Sequence, residues 1–228
     1  MKRTGLNAGP AARKRFSGEE RHKQLLQIAV ELFSERGFEG TTTKAIAAAA
    51  GVSEGIIFQH FATKEDLYAG ILDYKAKEAG VEEWEEQLRD CAEREDDEGL
   101  VLSIVEQILR SNRLDPQFQR LMCQAALNGH PLPKIMAQRI LPLRNFLCEY
   151  IARRQKKGAL QSCDPGVAVH AIVSMPNYYG LAKSLFGVDA LRLPEHEMAF
   201  SFTRLILGGL QAPDVRRKGR KNAAHKIR

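Results

Sequence analysis

Apolar residues recur along this chain at spacings of three and four, and no stretch alternates apolar with polar over the length of a strand. That is the period of helices with one buried face. Leu25, Ile28, Leu32 and Phe33 share one stripe, preceded by Ser17 and Glu20 and ended by Gly37. Ser followed by Glu three residues on is a capping box, each side chain satisfying the other's free backbone N–H, so a helix is predicted to start there. A short segment from Thr42 to Ala50 carries Ile46 and several alanines and runs into Gly51. A second short helix begins at Ser53 and ends near His60. Thr63 with Asp66 makes another capping box, opening a helix through Leu67, Ile71 and Leu72.

The remainder reads the same way in longer pieces. Asp115-Pro116 and Asp164-Pro165 each start a helix, with Asp as cap and Pro at the first position, where its missing N–H costs nothing. Another helix lies within Pro131 to Gly158, and Pro142 should kink or break it. Ala168, Ile172, Met175, Tyr179, Ala182 and Phe186 follow one stripe. Met198, Phe202, Leu205 and Ile206 follow the last, which starts near Pro194. Residues 82–98 hold ten acids and two bases and are expected to form a solvated helix face or linker rather than core. No internal repeat is visible.

Composition bounds this picture. A chain of 228 residues suffices for one large domain or two small ones, and 44% hydrophobic with 27% charged residues is ordinary for a soluble protein. No apolar run approaches the roughly 20 residues of a membrane span, and no signal-like stretch opens the chain, so a cytoplasmic location away from membranes is expected. Cys91, Cys123, Cys148 and Cys163 are scattered with no CxxC or Cys/His cluster. They are expected to be small buried hydrophobes, with no disulfide framework, metal or cofactor. Residues 1–18 carry five bases and no acid, residues 213–228 carry seven bases and one acid, and the middle is left at net −5. Two basic ends around an acidic body suit a polyanionic partner.

The chemistry concentrates at Ala50-Gly51-Val52-Ser53, where two short helices meet. Gly51 can take the left-handed turn conformation, Val52 can plug the core and Ser53 can cap the second helix. That is the chemistry of a helix-turn-helix, in which one helix braces on the nucleic-acid backbone while the next lies in the major groove, although a Gly between short helices also occurs in many αα-hairpins. Lys44 and Lys64 each sit in a first helical turn, where the helix dipole disfavours a cation by a few tenths to ~1 kcal/mol. A nearby phosphate would explain both. Gly55 inside a short helix costs about 1 kcal/mol relative to Ala, which close approach to DNA would justify. Gln59 could pair with adenine, Glu54 could accept from cytosine and Ile56 could pack on a thymine methyl. Against this, Glu54 also suits any helix N-terminus and Ile56 could be core.

The stretch from Thr41 to Leu67, TTTKAIAAAAGVSEGIIFQHFATKEDL, with the preceding Ala29, Leu32-Phe33 and Gly37-Phe38, closely resembles the tetracycline-repressor (TetR) family. The resemblance covers about residues 20–75; the remainder is compatible with that family's variable helical regulatory domain. It implies an all-α fold: an N-terminal three-helix helix-turn-helix DNA-binding domain, then a larger helical ligand-binding and dimerisation domain. The expected division is a basic flexible arm at 1–18, the DNA-binding domain at 19–78, the regulatory domain at 79–212 and a basic flexible tail at 213–228. It implies phosphate contacts for Thr43, Lys44, His60 and Lys64, and a groove-facing side made of Glu54, Gly55, Ile56 and Gln59. Thr42 and Ser53 are counted in the same DNA-binding surface. Phe58 stands where the family usually has Tyr, so one hydroxyl often aimed at phosphate is missing. The implied partners are double-stranded operator DNA of palindromic form, a second copy of the chain and a small-molecule effector. The implied function is a homodimeric repressor.

The final two stripes would leave apolar faces exposed in a monomer, so Ile172, Met175, Tyr179, Phe202, Leu205 and Ile206 are expected at a four-helix dimer interface, the alternative being that the stripes pack only within their own subunit. Phe118, Met122, His170, Asn177 and Tyr178 mix aromatic, soft and polar groups and are expected around a ligand pocket. A helical enzyme or an interaction module without DNA would compete with this reading. No GxSxG, HExxH, P-loop or dinucleotide fingerprint supports an enzyme.

Overall fold

The computed structural model describes residues 16–189 and 191–210. The described residues form ten α-helices. They are α1 (Gly18–Arg36), α2 (Thr43–Ala50), α3 (Glu54–His60), α4 (Lys64–Glu78) and α5 (Val81–Glu93). Then follow α6 (Asp97–Leu114), α7 (Pro116–Leu127), α8 (Leu132–Lys156), α9 (Pro165–Phe186) and α10 (Glu195–Leu210). The two basic ends fall outside the described residues, apart from residues 16–18.

Local chemistry sets most of the helix starts. Both capping boxes form, Ser17 with Glu20 at α1 and Thr63 with Asp66 at α4. Asp115 and Asp164 cap α7 and α9, accepting from Phe118 N and Val167 N at 3.0 Å each. Ser53 occupies the cap position of α3, but its hydroxyl makes no capping bond. Pro142 does not break α8, which runs unbroken through it. Its neighbours from residue 137 to 145 are almost all solvent-exposed, so water can serve the carbonyl that Pro142 leaves unpaired. The acid-rich stretch is a solvated helix face, as one of the two expectations had it, but it also contributes to the core. It folds as α5 and the start of α6, with Leu88 and Ala92 buried and the Trp84 indole donating to Ser103 Oγ at 3.0 Å. Its acids lie on the outer face or pair across the fold: Arg154 bridges Glu95 and Asp97, and Tyr150 donates to Asp97.

Packing divides the molecule into two cores. Leu25, Phe33, Ile46, Ile57, Leu67, Tyr68 and Ile71 of α1–α4 form the first. Leu121 and Ala125 of α7 and Leu132 of α8 join it, so the second half reaches under the first. The other core gathers Leu88, Leu100, Ile104, Val105, Leu147, Ile151, Ile172, Met198, Phe202 and Ile206 from α5, α6, α8, α9 and α10. Burying each such side chain contributes roughly 1.5–3 kcal/mol before entropy is counted. At Gly180 a β-carbon would lie 2.7 Å from Asn112 side-chain atoms, so only glycine lets α9 approach α6 this closely. Cys91, Cys123 and Cys148 are only half-buried and Cys163 is exposed, a correction to their expected burial.

Candidate nucleic-acid interface

The two short helices are joined by the turn that the residues predict. Thr42 caps α2, accepting from Ala45 N at 3.0 Å. Gly51 takes φ 67° and ψ 33°, a left-handed conformation that β-carbon sterics penalise. Val52 then packs partly buried against the first core, and Ile57 on α3 is fully buried. These two anchors fix which side of α3 faces out. Gly55, Phe58 and Gln59 are exposed together on that side, while Glu54, Ile56 and His60 are half-buried at its edges. A β-carbon at Gly55 would meet nothing nearer than Ser53 Oγ at 3.9 Å, so no internal contact requires glycine there. Half of Phe58's surface is open to water.

The flanking polar groups are placed unequally. Thr42, Lys44 and Ser53 are exposed. Thr43 donates to Glu54, tying the start of α2 to the start of α3. A hydroxyl has one proton, so Thr43 cannot donate to Glu54 and a phosphate at once. Glu54 keeps its second carboxylate oxygen as an acceptor. Lys64 Nζ lies 4.0 Å from the centroid of the Phe38 ring, within cation–π range, so its charge is part-sheltered. Phe38 packs in turn on Tyr68 and on His130 of the α7–α8 turn. Burial pushes the Tyr68 phenol up to about 12.

Two residues of this surface were missed from sequence. Arg21 and His22 on α1 stand beside the end of α3: His22 stacks on Phe61 at 4.6 Å and meets the His60 ring edge-on at 5.7 Å. Burial, then the charges of His22 and Arg21, lower the pKa of His60. Only the folding of α1 against α2 and α4 brings these groups together, 38 residues apart in the chain; linear spacing carries no sign of it.

The residues singled out in the second half fall in different environments. Ile172, Phe202 and Ile206 are buried in their own subunit's core, and Tyr179 is half-buried with its ring against Phe202. Met175 and Leu205 are exposed, the latter at 67%. The periodic stripe marked the inward face, because a helix that packs within its subunit spends its strongest apolar residues there. The five residues expected around a pocket lie in two separate regions. Phe118 and Met122 pack on the first core, whereas His170, Asn177 and Tyr178 are exposed on α9. None of the five lines either of two cavities found among the described residues. One cavity, of about 310 Å³, is walled by Trp84, Gln87, Ser103, Glu106, Gln107 and Arg110 with Glu195 and His196. The other, of about 220 Å³, lies between α6, α9 and the start of α10.

A buried-anchored pair of short helices, a left-handed glycine turn and an open face on the second helix define a helix-turn-helix regulator. A family model described as bacterial regulatory proteins of the tetR family matches residues 25–71. The chain is 32% identical over 201 residues to the HTH-type transcriptional regulator RutR of Escherichia coli O157:H7, covering 83% of this chain and 90% of that one. The protein therefore belongs to the TetR family of transcriptional regulators. Its fold resembles that of the ketosteroid transcriptional regulator KstR2 of Mycobacterium tuberculosis, with TM-score 0.58, 20% identity and coverage of 87% and 100%. It also resembles AibR, solved with isovaleryl coenzyme A and operator DNA, with TM-score 0.56, 22% identity and coverage of 82% and 97%. Among the described residues, no helix is long and apolar enough to cross a membrane.

Proposed function

We propose that this regulator is a homodimeric repressor that holds a palindromic operator through α3 and releases it when a small molecule binds the second half. The outward face of α3 carries the reading. Gly55, Phe58 and Gln59 are open to solvent while Ile57 fastens the helix from behind. In this arrangement Gln59 pairs with adenine, Phe58 meets a thymine methyl and Glu54 accepts from cytosine with its free oxygen. Ile56, at the edge of the face, borders the same bases. Thr42, Lys44, Ser53, His60 and Lys64 border the helix and take phosphates, while Thr43 holds Glu54.

Dimerisation is supported by apolar side chains left uncovered on α9 and α10. Val167, Met175 and Tyr178 on α9 and Phe200 and Leu205 on α10 are exposed. A four-helix packing of two copies would bury them. Coupling to the first half is supported by Asp115, at the α6–α7 corner, which pairs with Lys75 of α4 at 2.7 Å. His130 adds a second tie, held between Phe38 and Tyr68 with ring centroids 4.3 and 4.4 Å away. A movement of α7 is thereby passed to α4, and a differential affinity of ~1–3 kcal/mol would shift operator binding about 5- to 150-fold. Gel shifts with duplex DNA at rising salt, beside sedimentation of the free protein, test this reading. A dimer with steeply salt-dependent binding supports it; no binding at low salt overturns it.

A further inference from the structure

The 220 Å³ cavity has an apolar wall and a charged rim. Leu109, Pro116, Leu193 and Met198 supply the wall, and Arg113, Lys183 and Glu195 the charges, with Tyr179, Gly180 and Ser184 completing it. Arg113 donates to Glu195 through Nε alone, at 2.7 Å. Its two terminal nitrogens, one edge of the planar fork that matches a carboxylate, make no hydrogen bond among the described residues. Lys183 pairs with Asp189 at 2.8 Å, and Tyr179 donates to the same carboxylate at 2.9 Å. The rim thus presents two cations around an apolar chamber, one of them with unused planar donors.

We infer that this cavity binds a small amphipathic carboxylic acid, its hydrocarbon body against Leu109, Leu193 and Met198 and its carboxylate on the Arg113 fork. The chemistry is that of charge-assisted, bidentate recognition beside an apolar wall. Size limits the ligand: at ~30 Å³ per water-sized group the chamber holds about seven, and somewhat more when the atoms are bonded together. That admits an acid of roughly ten non-hydrogen atoms and excludes steroid-sized bodies. The 310 Å³ cavity is a weaker candidate. Its walls are mainly polar, and Trp84 and Gln107 already donate to Ser103 and to the Ala79 carbonyl.

The site also has a built-in competitor. Glu195 opens α10 and shares Arg113 with any incoming acid. An acid that draws Arg113 toward itself loosens the tie between α6 and α10. Arg113 lies two residues from Asp115, whose partner Lys75 belongs to α4. Occupation of the cavity is thereby placed at the corner that joins the two halves. This mechanism rests on the reading of the chain as an effector-controlled regulator; the binding chemistry itself does not.

Calorimetry on the full chain without DNA tests the binding directly, with octanoate and phenylacetate as probes and octanamide and phenylacetamide as neutral isosteres. At least one acid should bind, and its amide should bind about 10- to 100-fold more weakly. Arg113→Gln should abolish that preference, and Arg113→Lys should restore part of it by keeping charge without the fork. Glu195→Gln should tighten the acid by removing the competitor. No binding of either acid at millimolar concentration, equal affinity for acid and amide, or an unchanged preference in Arg113→Gln would overturn the inference. Operator titrated with and without the bound acid separately tests the regulatory reading. Binding without release would leave the site standing and remove its link to DNA.

Discussion

The two halves of this protein differ in how their functional residues are held. In α1–α4 the important positions are fixed by neighbours a few residues away: capping boxes at Ser17 and Thr63, the Gly51 turn, and Ile57 behind the outward face of α3. In α5–α10 they are fixed by partners far along the chain, as when Arg113 meets Glu195 or Arg154 meets Asp97. The first half therefore tolerates changes on its outer face that leave folding intact. In the second half, packing and function share residues. Loss of a side chain there more often removes both.

The sharpest break in this comparison comes from two substitutions three residues apart on α10. Phe202 is 7% exposed and belongs to the second core. Phe202→Glu loses aromatic packing worth about 3–5 kcal/mol and adds the cost of a buried charge, so the second half should unfold well before the first. Denaturation followed by Trp84 fluorescence, with helix content by circular dichroism, reads this; a midpoint unchanged from the parent would place Phe202 outside the core. Leu205→Glu, on the open face, should change folding stability by less than about 0.5 kcal/mol but yield monomers with at least tenfold weaker operator binding. Sedimentation checks it. A dimer of parental affinity would put the interface elsewhere.

Smaller effects belong to the first half. Lys44 is exposed at the start of α2, so Lys44→Ala should weaken binding to all duplexes alike and reduce the salt slope by about one. An unchanged slope removes it from the phosphate contacts. The gentlest effect is on pH. In the free protein the His60 imidazole titrates below its ordinary 6.5, held there by burial and then by His22 and Arg21. A phosphate beside it would raise that pKa in the complex, so binding takes up a proton. Affinity should rise as pH falls through the bound-state pKa and level off below the free-state one. The gain should be less than tenfold, and His60→Gln should remove it. A parental pH profile in that variant would separate His60 from the DNA.

The same contrast explains what could be read in the sequence. Helix starts and the helix-turn-helix were legible because caps and turns act over three or four residues, as with Thr63 and Asp66. Even there, tertiary contact intervened: Ser53 holds the cap position without the bond, and Thr43 is turned onto Glu54. Residues 82–98 form the expected solvated helix face, but their charge density hid the buried pair Leu88 and Ala92 on its inner side. Ile172, Phe202 and Ile206 announced an apolar face, but periodicity alone does not say whether the subunit or its partner covers it. The cavity residues Leu109, Leu193 and Met198 come from separate segments and carry no shared spacing.

The central claim is that the open face of α3 reads DNA in a two-fold arrangement. Selection of bound sequences from random duplexes tests it most directly, run on the parent and on Gln59→Ala in parallel. The parent should recover an inverted repeat whose half-sites lie about one DNA turn apart, ~34–36 Å, or a multiple of it. Gln59→Ala should relax one base position per half-site, at a cost of about 1–3 kcal/mol there, and leave the other positions alone. An asymmetric or absent consensus, or one identical in the two proteins, would contradict the account.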